Sequence, residues 1–233
     1  MREIVLDTET TGLDPKDGHR IVEIGAVELY NHLPTGKVYH QYINPLISMP
    51  DQAFAIHGLS DEFLSDKPVF SEIANEFLYF IGSAKLVIHN AAFDIKFINA
   101  ELKNIEQEEI TFDRATDTLE LARKKFPGSP ASLDSLCRRF KIDNSARVVH
   151  GALLDSQILA EVYLELVGGK QPDFVLNVIN TPNENENPIL NDKRVGVRKE
   201  ILKPRLTKDE KDNHKNFIKK LGNDSMWLKI FNS

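Results

Sequence analysis

The chain has 233 residues, of which 41% are hydrophobic and 27% charged, so it is long enough for one ordinary domain with about sixty residues to spare. No apolar run approaches the roughly 20 residues of a membrane span and the N-terminus lacks a secretory pattern, which argues against a membrane protein and predicts a cytoplasmic location. The single Cys137 excludes intramolecular disulfides and cysteine-based zinc sites.

The charge is divided unevenly along the chain. Residues 1–169 contain 16 basic and 26 acidic side chains, whereas residues 170–233 contain 13 and 9. An acidic first part argues against a protein that wraps duplex DNA by neutralising phosphates alone, and it leaves room for bound cations. Solubility by itself would explain the same imbalance.

The predicted elements of residues 1–169 are strands first and then strands alternating with helices. A polar loop at 31–36 favours a hairpin between the second and third strands. This order predicts an α/β fold with a mixed sheet and helices on its faces. The predicted strands are 3–7, 21–30, 37–45, 85–90 and 110–115, and the predicted helices are 68–81, 91–102, 118–126, 133–140 and 152–167, with a helix stop at 168–169.

The composition changes after residue 169. Residues 180–193 are polar and rich in Asn and Pro, which is typical of a flexible linker. The last segment begins with a charged helical stretch and ends in apolar side chains that include Trp227. The sequence therefore predicts a domain at 1–169, a linker at 170–207 and a C-terminal segment at 208–233, the last two forming a flexible tail.

Two carboxylates lie close together near the end of the first predicted strand. Asp7 and Glu9 are two residues apart, so their side chains share one face of that strand. Carboxylates held together repel each other unless a proton or a cation lies between them, and oxygen ligands of this kind suit Mg²⁺ or Mn²⁺. Alone, the pair is more simply explained as a solvated strand end.

Three further residues carry candidate chemistry at the starts of two predicted helices. Asp94 lies one turn beyond Asn90, a predicted helix cap, and His150 precedes a helix whose first turns contain Asp155. Each has an ordinary structural explanation, such as the preference of acids for a helix N-terminus. The candidate residues therefore occur at one strand end and at two helix starts, and this order along the chain favours one joint site.

At these residues the sequence resembles a known family. Residues 7–13 (DTETTGL), 89–94 (HNAAFD) and 150–155 (HGALLD) are similar to the three motifs of the DEDDh 3′–5′ exonucleases. Residues 51–70 resemble, more narrowly, the proofreading epsilon subunits of bacterial DNA polymerase III. The resemblance covers about residues 2–169, and it implies a ribonuclease-H-like fold with a five-stranded mixed sheet flanked by helices.

The resemblance also implies a chemistry, which is hydrolysis of the 3′-terminal phosphodiester. Two divalent cations, Mg²⁺ or Mn²⁺, would flank the scissile phosphate. The resemblance implies that His150 is the general base, because an imidazole exchanges protons near neutrality. It implies the metal ligands Asp7, Glu9, Asp94 and Asp155.

The expected substrate is a single-stranded 3′ end of DNA. Phe93 and Leu13 offer apolar contacts that tolerate any base, and Gly12 allows close approach of the backbone. Gln52 departs from the acid that the family commonly has there. The candidate substrate contacts are Asp7, Glu9, Thr10, Gly12, Leu13, Gln52, His57, Asn90, Phe93 and Asp155. Four basic residues are candidates for phosphate contacts or for a solvated surface, namely Arg138, Arg139, Lys141 and Arg147.

The resemblance continues more loosely into the tail. Gln171, Phe174 and Leu176 resemble the short motif by which such subunits bind the sliding clamp, and a plain linker is an equal alternative. The segment that contains Trp227 resembles the part that binds the polymerase (alpha) subunit, since an exposed Trp is a typical interface anchor. A helix packed back onto the domain is the alternative. A small accessory subunit is a further partner left open.

The sequence thus predicts a 3′–5′ exodeoxyribonuclease that removes mismatched 3′-terminal nucleotides for a replicative polymerase. One alternative is a free-standing exoribonuclease that trims RNA ends, which would have little use for a tail that ends in a Trp anchor. Another is an inactive scaffold between clamp and polymerase. The complete set of five motif residues argues against the scaffold, because an inactive site has no reason to keep repelling carboxylates together.

Overall fold

The computed structural model describes residues 1–145, 147, 149–168 and 206–220. The chain divides into two compact units, Met1–Leu176 and Asn177–Ser233. In the described part of the first unit the strands are β1 Arg2–Thr10, β2 Ile21–Tyr30, β3 Leu33–Tyr42, β4 Lys85–Ile88 and β5 Ala115–Asp117. The helices are α1 Asp51–His57, α2 Asp61–Leu64, α3 Phe70–Ile81, α4 Ala91–Asn104, α5 Thr118–Lys125, α6 Leu133–Phe140 and α7 Ala152–Val167.

The five strands form one mixed sheet in the order β3-β2-β1-β4-β5. Strands β1, β2 and β3 are antiparallel neighbours, whereas β4 pairs parallel to both β1 and β5. The strand β1 therefore lies at the centre of the sheet, with its C-terminal end pointing the same way as that of β4. This confirms the predicted α/β class and the five-stranded mixed sheet flanked by helices.

Two hydrophobic layers cover the two faces of the sheet. Because successive side chains of a strand alternate, Ile4 and Leu6 of β1 pack with α3 and α4 on one face. Val5 packs with α5, α6 and α7 on the other face. The two layers place α4 and α7 on opposite sides of β1.

The hairpin between β2 and β3 is tighter than predicted. The predicted loop at 31–36 is wrong, because β3 begins at Leu33 and only Asn31 and His32 form the turn. Their φ angles are 50° and 66°, in the left-handed region that two-residue hairpins require. The strand tolerates Pro34 because β3 is at the edge of the sheet.

The predicted strand at 110–115 is also largely wrong, since β5 begins only at Ala115. Ile110 is buried, which explains its strand-like pattern. Its backbone, however, pairs with a side chain. The Asn99 amide donates to the Ile110 carbonyl at 2.9 Å and accepts from the Ile110 N–H at 2.8 Å. The Asn99 side chain thus makes the two backbone hydrogen bonds that a neighbouring strand would otherwise make with Ile110.

Gly25 of β2 allows the helix α7 to approach the sheet closely. It pairs with Asp7 in the β1–β2 register. A Cβ atom at Gly25 would lie 2.2 Å from the backbone carbon of Ala152, a distance that real contacts do not reach. Ser156 Oγ donates to the Gly25 carbonyl at 2.8 Å and fixes the contact. The start of α7 is thereby held against Gly25, the residue of β2 that pairs with Asp7.

We expect Gly25→Ala to destabilise the protein by about 3 kcal/mol, because the added methyl group forces α7 away from the sheet. Urea unfolding followed by circular dichroism measures the change. Gly151→Ala is the matched control, since a methyl group there meets open space. Equal stability of the two variants would contradict the close approach.

The second unit is described over residues 206–220, where α8 spans Lys208–Lys220. A reciprocal cap starts this helix, since Thr207 N–H donates to Glu210 Oε2 at 2.8 Å and Glu210 N–H donates to Thr207 Oγ1 at 3.2 Å. The predicted boundary at residue 169 lies outside the described residues. Across the described ranges, no helix combines the length and apolarity needed to cross a membrane.

Candidate active site

Four carboxylates converge at the C-terminal end of β1. Asp7 and Glu9 are on the strand itself, on the face that also carries Val5. Asp94 is in the first turn of α4, which follows the parallel strand β4 and so begins at the same end of the sheet. Asp155 is in the first turn of α7. The side chains of Asp94 and Asp155 are buried.

The mutual effects of these carboxylates on their pKa values show how close they are. Burial, and then the charges of Asp94, Glu9 and Asp155, raise the pKa of the Asp7 carboxyl well above its ordinary value. Burial and the charge of Asp155 raise the pKa of Glu9 to about 8. Burial raises the pKa of Asp94 to about 7, although the Thr8 hydroxyl donates to Asp94 Oδ1 at 2.7 Å. The cluster thus has excess negative charge, which a cation would stabilise.

The donor set fits hard divalent cations. Oxygen ligands from several carboxylates are the ligands that Mg²⁺ and Mn²⁺ prefer. One ligand atom each of Glu9, His150 and Asp155 lies within 4.8 Å of the other two. These three residues come from β1, from the segment before α7 and from α7 itself, so the grouping exists only in the folded protein.

The raised pKa values predict how the stability of the cation-free protein depends on pH. Glu9 and Asp94 bind protons more tightly in the folded protein than in the unfolded chain, where their pKa values are near 4.5 and 3.8. The stability that this tighter binding contributes is therefore full below about pH 4 and is lost as the pH rises toward 7 to 8. In EDTA we expect the melting temperature to fall by about 5 °C between pH 5.5 and pH 8.

Mg²⁺ should reduce this decrease, because a bound cation replaces the protons. Differential scanning calorimetry at matched ionic strength, with either EDTA or Mg²⁺, measures both slopes. Parallel slopes in the two series would show that the cation does not bind at these carboxylates.

His150 lies at the edge of the cluster. Its side chain is 47% exposed, and its Nδ1 is 3.4 Å from Asp155 Oδ2. Its backbone N–H donates to the Ile56 carbonyl of α1 at 3.1 Å. The backbone of His150 is thus tied to α1, and its imidazole lies near Asp155 with part of the ring open to solvent.

A cavity of ≈ 520 Å³ opens beside the carboxylates. Its walls come from the end of β1 with the following turn, from α1 and from the start of α4. Of the predicted substrate contacts, Asp7, Asn90 and Asp155 do not line it. The lining includes Glu9, Thr10, Gly12, Leu13, Gln52, His57 and Phe93 from the predicted set. It also includes residues outside the predicted set of contacts, namely Thr8, Thr11, Asp17, His19, Pro50, Ala53 and Ile56.

His57 presents a buried polar atom at this cavity. It is the last residue of α1 and is buried, and its Nδ1 accepts a hydrogen bond from Leu59 N–H at 3.1 Å. The neutral ring then carries its proton on Nε2, which has no hydrogen-bond partner among the residues described. Burial lowers the pKa of His57, which favours this neutral form.

Two of the expected local roles differ in the structure. Asn90 precedes α4 as predicted, but it has a φ of 67° and its side chain makes no capping hydrogen bond. Its backbone N–H donates to Asp117 Oδ1 at 3.1 Å, which ties the start of α4 to the end of β5. A Cβ atom at Gly12 would lie 2.4 Å from the His19 ring, so the space beside Gly12 is filled by a side chain of the protein.

The sequence makes Arg147 a candidate for a phosphate contact, but in the structure its side chain binds other side chains of the protein. Its guanidinium binds both oxygens of Asp155, with Nε–Oδ1 at 2.5 Å and Nη2–Oδ2 at 2.7 Å. The same Nη2 is 2.7 Å from His150 Nδ1, and Nη1 is 2.8 Å from Asp134 Oδ1. The only signal in the sequence is that Arg147 lies three residues before His150.

The predicted tail contacts Gln171, Phe174, Leu176 and Trp227 lie outside the described residues. The predicted helical stretch that precedes Trp227 corresponds to α8.

Comparison with known proteins identifies relatives of this chain. Residues 4–163 match the family model described as "Exonuclease" (RNase_T). The chain is 53% identical over 224 residues to the DNA polymerase III subunit epsilon of Rickettsia typhi, a match that covers 95% of this chain and 97% of the relative. It is 53% identical over 176 residues to the DNA polymerase III subunit epsilon of Escherichia coli, a match that covers 72% of each.

A solved structure has the same arrangement of elements. Exonuclease X, in complex with 5′ overhanging duplex DNA, has a TM-score of 0.57 and 26% sequence identity. The match covers 71% of this chain and 90% of that one.

Proposed function

We propose that this protein, which belongs to the exonuclease family and within it to the DNA polymerase III epsilon subunits, removes mismatched 3′-terminal nucleotides by phosphodiester hydrolysis. Its family makes it a metal-dependent 3′–5′ DNA exonuclease. In this proposal two divalent cations bind at the site and His150 is the general base. The observation that carries this proposal is the position of a carboxylate cluster with excess negative charge directly beside a cavity of ≈ 520 Å³. A cavity of this size accommodates one nucleotide.

The cation ligands in this proposal are Asp7, Glu9, Asp94 and Asp155. When bound, Mg²⁺ or Mn²⁺ would polarise the phosphate and lower the pKa of the attacking water. The protein contributes the fixed geometry of the ligands, because two of them are on the central strand and the other two begin helices packed on opposite faces of the sheet. The Thr8 hydroxyl, by donating to Asp94 Oδ1, fixes the orientation of that carboxylate.

His150 would take a proton from the attacking water at a ring nitrogen. Two features support this role, the exposed part of its ring and the proximity of the ring to Asp155. Its backbone bond to Ile56 links it to α1, which also forms a wall of the cavity, so base and substrate are held by one element. A base positioned in this way is typically worth about 10²–10⁴-fold in rate.

The terminal nucleotide would occupy the cavity. His57 would donate from Nε2 to an oxygen of the nucleotide, because in the described protein this buried nitrogen makes no hydrogen bond of good geometry and has only the Thr10 backbone nearby. Leu13 is 80% exposed and Phe93 is partly buried against the core, so both offer apolar surface to a base. Such contacts do not read sequence and favour an unpaired end.

A nuclease assay tests the proposed activity. The substrate is a primer–template whose primer ends in a mismatched nucleotide, with a fully paired primer and an RNA primer as comparisons. We expect release of the mismatched nucleotide with Mg²⁺ or Mn²⁺, slower release from the paired end, and none in EDTA. Equal digestion of paired and mismatched ends, or preference for the RNA primer, would contradict the proposal.

We also propose that the chain acts in the cytoplasm as part of a polymerase assembly, bound to the polymerase (alpha) subunit through residues 208–233. Support comes from the Rickettsia typhi relative, which matches over 95% of this chain. Pull-down of the polymerase subunit by the full chain, and not by residues 1–176, would support this contact. Sliding-clamp binding through Gln171, Phe174 and Leu176 is tested by pull-down of the clamp with the full chain and with residues 1–169, which lack these three residues.

A further inference from the structure

The Arg147 guanidinium contacts the carboxylate site at several points. Its side chain is only 9% exposed, and it binds Asp155, His150 and Asp134 at once. The Asp155 contact is bidentate, the geometry in which an Arg–carboxylate pair is strongest. The charge of Arg147 also lowers the pKa values of Asp7 and Glu9, against the larger effects that raise them.

The contact with His150 determines which ring nitrogen carries the proton. A guanidinium only donates hydrogen bonds, so His150 Nδ1 must accept from Arg147 Nη2. A neutral imidazole that accepts at Nδ1 has its proton on Nε2. Because Nδ1 accepts from Arg147 and Nε2 already carries the proton, the ring has no free lone pair with which to take a proton from water.

From these contacts we infer that Arg147 is a positioning residue that occupies the place of a cation beside Asp155 and His150, and that a divalent ion displaces it. The inference rests on the cation site proposed above. Displacement would free the oxygens of Asp155 for the ion and free Nδ1 of His150, so that cation binding and activation of the base occur together.

The surroundings of Arg147 allow this movement. A second cavity, of ≈ 460 Å³, is lined by Arg147 itself, by Asp134 and by Asn144. Asp134 is half exposed and pairs with Nη1, the nitrogen that does not contact Asp155 or His150. The guanidinium can therefore turn toward this cavity and keep one ion pair, whereas remaining beside a divalent ion would bring like charges together.

Titration of Mn²⁺ into the full chain without DNA, by calorimetry or electron paramagnetic resonance, tests the inference. We expect Arg147→Gln to bind Mn²⁺ about tenfold more tightly than wild type, because the competing charge is gone. Arg138→Gln is the matched control, since Arg138 lines the same cavity and its side chain donates to Ser135. Its affinity should stay within about twofold of wild type.

The outcomes separate this inference from the proposed function. If wild type binds Mn²⁺ and Arg147→Gln binds it equally or more weakly, Arg147 does not compete with the ion and the inference is wrong. If wild type binds no Mn²⁺, the cation site is wrong and the inference fails with it.

The state of the His150 ring gives a second measurement that does not depend on an altered fold. Nitrogen NMR of wild type in EDTA should show the proton of the neutral ring on Nε2, and Mg²⁺ should abolish that preference. In Arg147→Gln the ring should show no fixed preference even in EDTA. A ring state that Mg²⁺ leaves unchanged in wild type would overturn the coupling between the ion and the base.

Discussion

His150→Ala should release 3′-terminal nucleotides about 10²–10⁴-fold more slowly than wild type while its affinities for Mn²⁺ and for single-stranded DNA stay near the wild-type values. The side chain is half exposed and contacts Arg147 and Asp155, so its removal leaves both hydrophobic layers intact. Single-turnover release from a fluorescent oligonucleotide measures the chemical step. Titration of Mn²⁺ and DNA into the variant measures the two affinities.

His150→Gln provides the matched control for this variant. A glutamine keeps a polar side chain of similar reach and has no basic nitrogen, so it should be as slow as alanine. Wild-type rates in either variant would remove His150 from the mechanism. A large loss of Mn²⁺ affinity would instead make the imidazole a ligand, an arrangement that its distance to Glu9 and Asp155 would also permit.

The second large effect is expected for Asp155→Asn. An amide keeps the size of the side chain and removes the charge that would attract the cation, so we expect weaker Mn²⁺ binding and a loss of about 10³-fold in rate. Calorimetric titration measures the binding, and the same single-turnover assay measures the rate. Asp143→Asn serves as the control, because Asp143 is exposed and bonds locally to the Ser145 N–H.

Asp155→Asn also tests whether the carboxylates act together. With one charge fewer in the cluster, the pKa of Glu9 should fall toward its ordinary value, because the charge of Asp155 is one of the causes that raise it. The melting temperature in EDTA should then depend less on pH than that of wild type. Unchanged Mn²⁺ affinity in this variant would show that Asp155 is not a ligand.

Helices with a clear apolar stripe and defined ends can be predicted from the sequence. The predicted helix 133–140 has the same bounds as α6, which Ser132 caps by accepting from Ser135 N–H at 3.3 Å. The helix α7 also has its predicted bounds, and Gly168 follows it as the predicted stop. In both helices local chemistry and packing favour the same structure, so the local pattern is sufficient.

Other elements depend on partners far along the chain. The backbone of Ile110 is satisfied by Asn99, a side chain of α4 whose position only the folded structure determines. The short helix α1 is absent from the predicted elements, although Pro50 precedes it and Gly58, with a φ of 73°, ends it. Those two residues are typical helix boundaries, and they are the signal that the sequence offers for this helix.

The same distinction applies to the site. The carboxylates and His150 occur in short motifs, so their grouping can be predicted from the sequence alone. The Thr8 bond to Asp94 joins residues 86 positions apart, and Arg147 binds Asp155 and Asp134, which lie 8 and 13 positions away along the chain. Side chains that orient a site through such contacts carry no motif of their own.

The distribution of the four carboxylates over both faces of the sheet links catalysis to the completion of folding. Asp94 reaches the cluster only when α4 has packed on one face, and Asp155 only when α7 has packed on the other. A chain with a single layer formed would keep at most three of the four acids in register. We therefore expect that a nascent or partly unfolded copy does not degrade DNA, because it lacks one of the four proposed cation ligands.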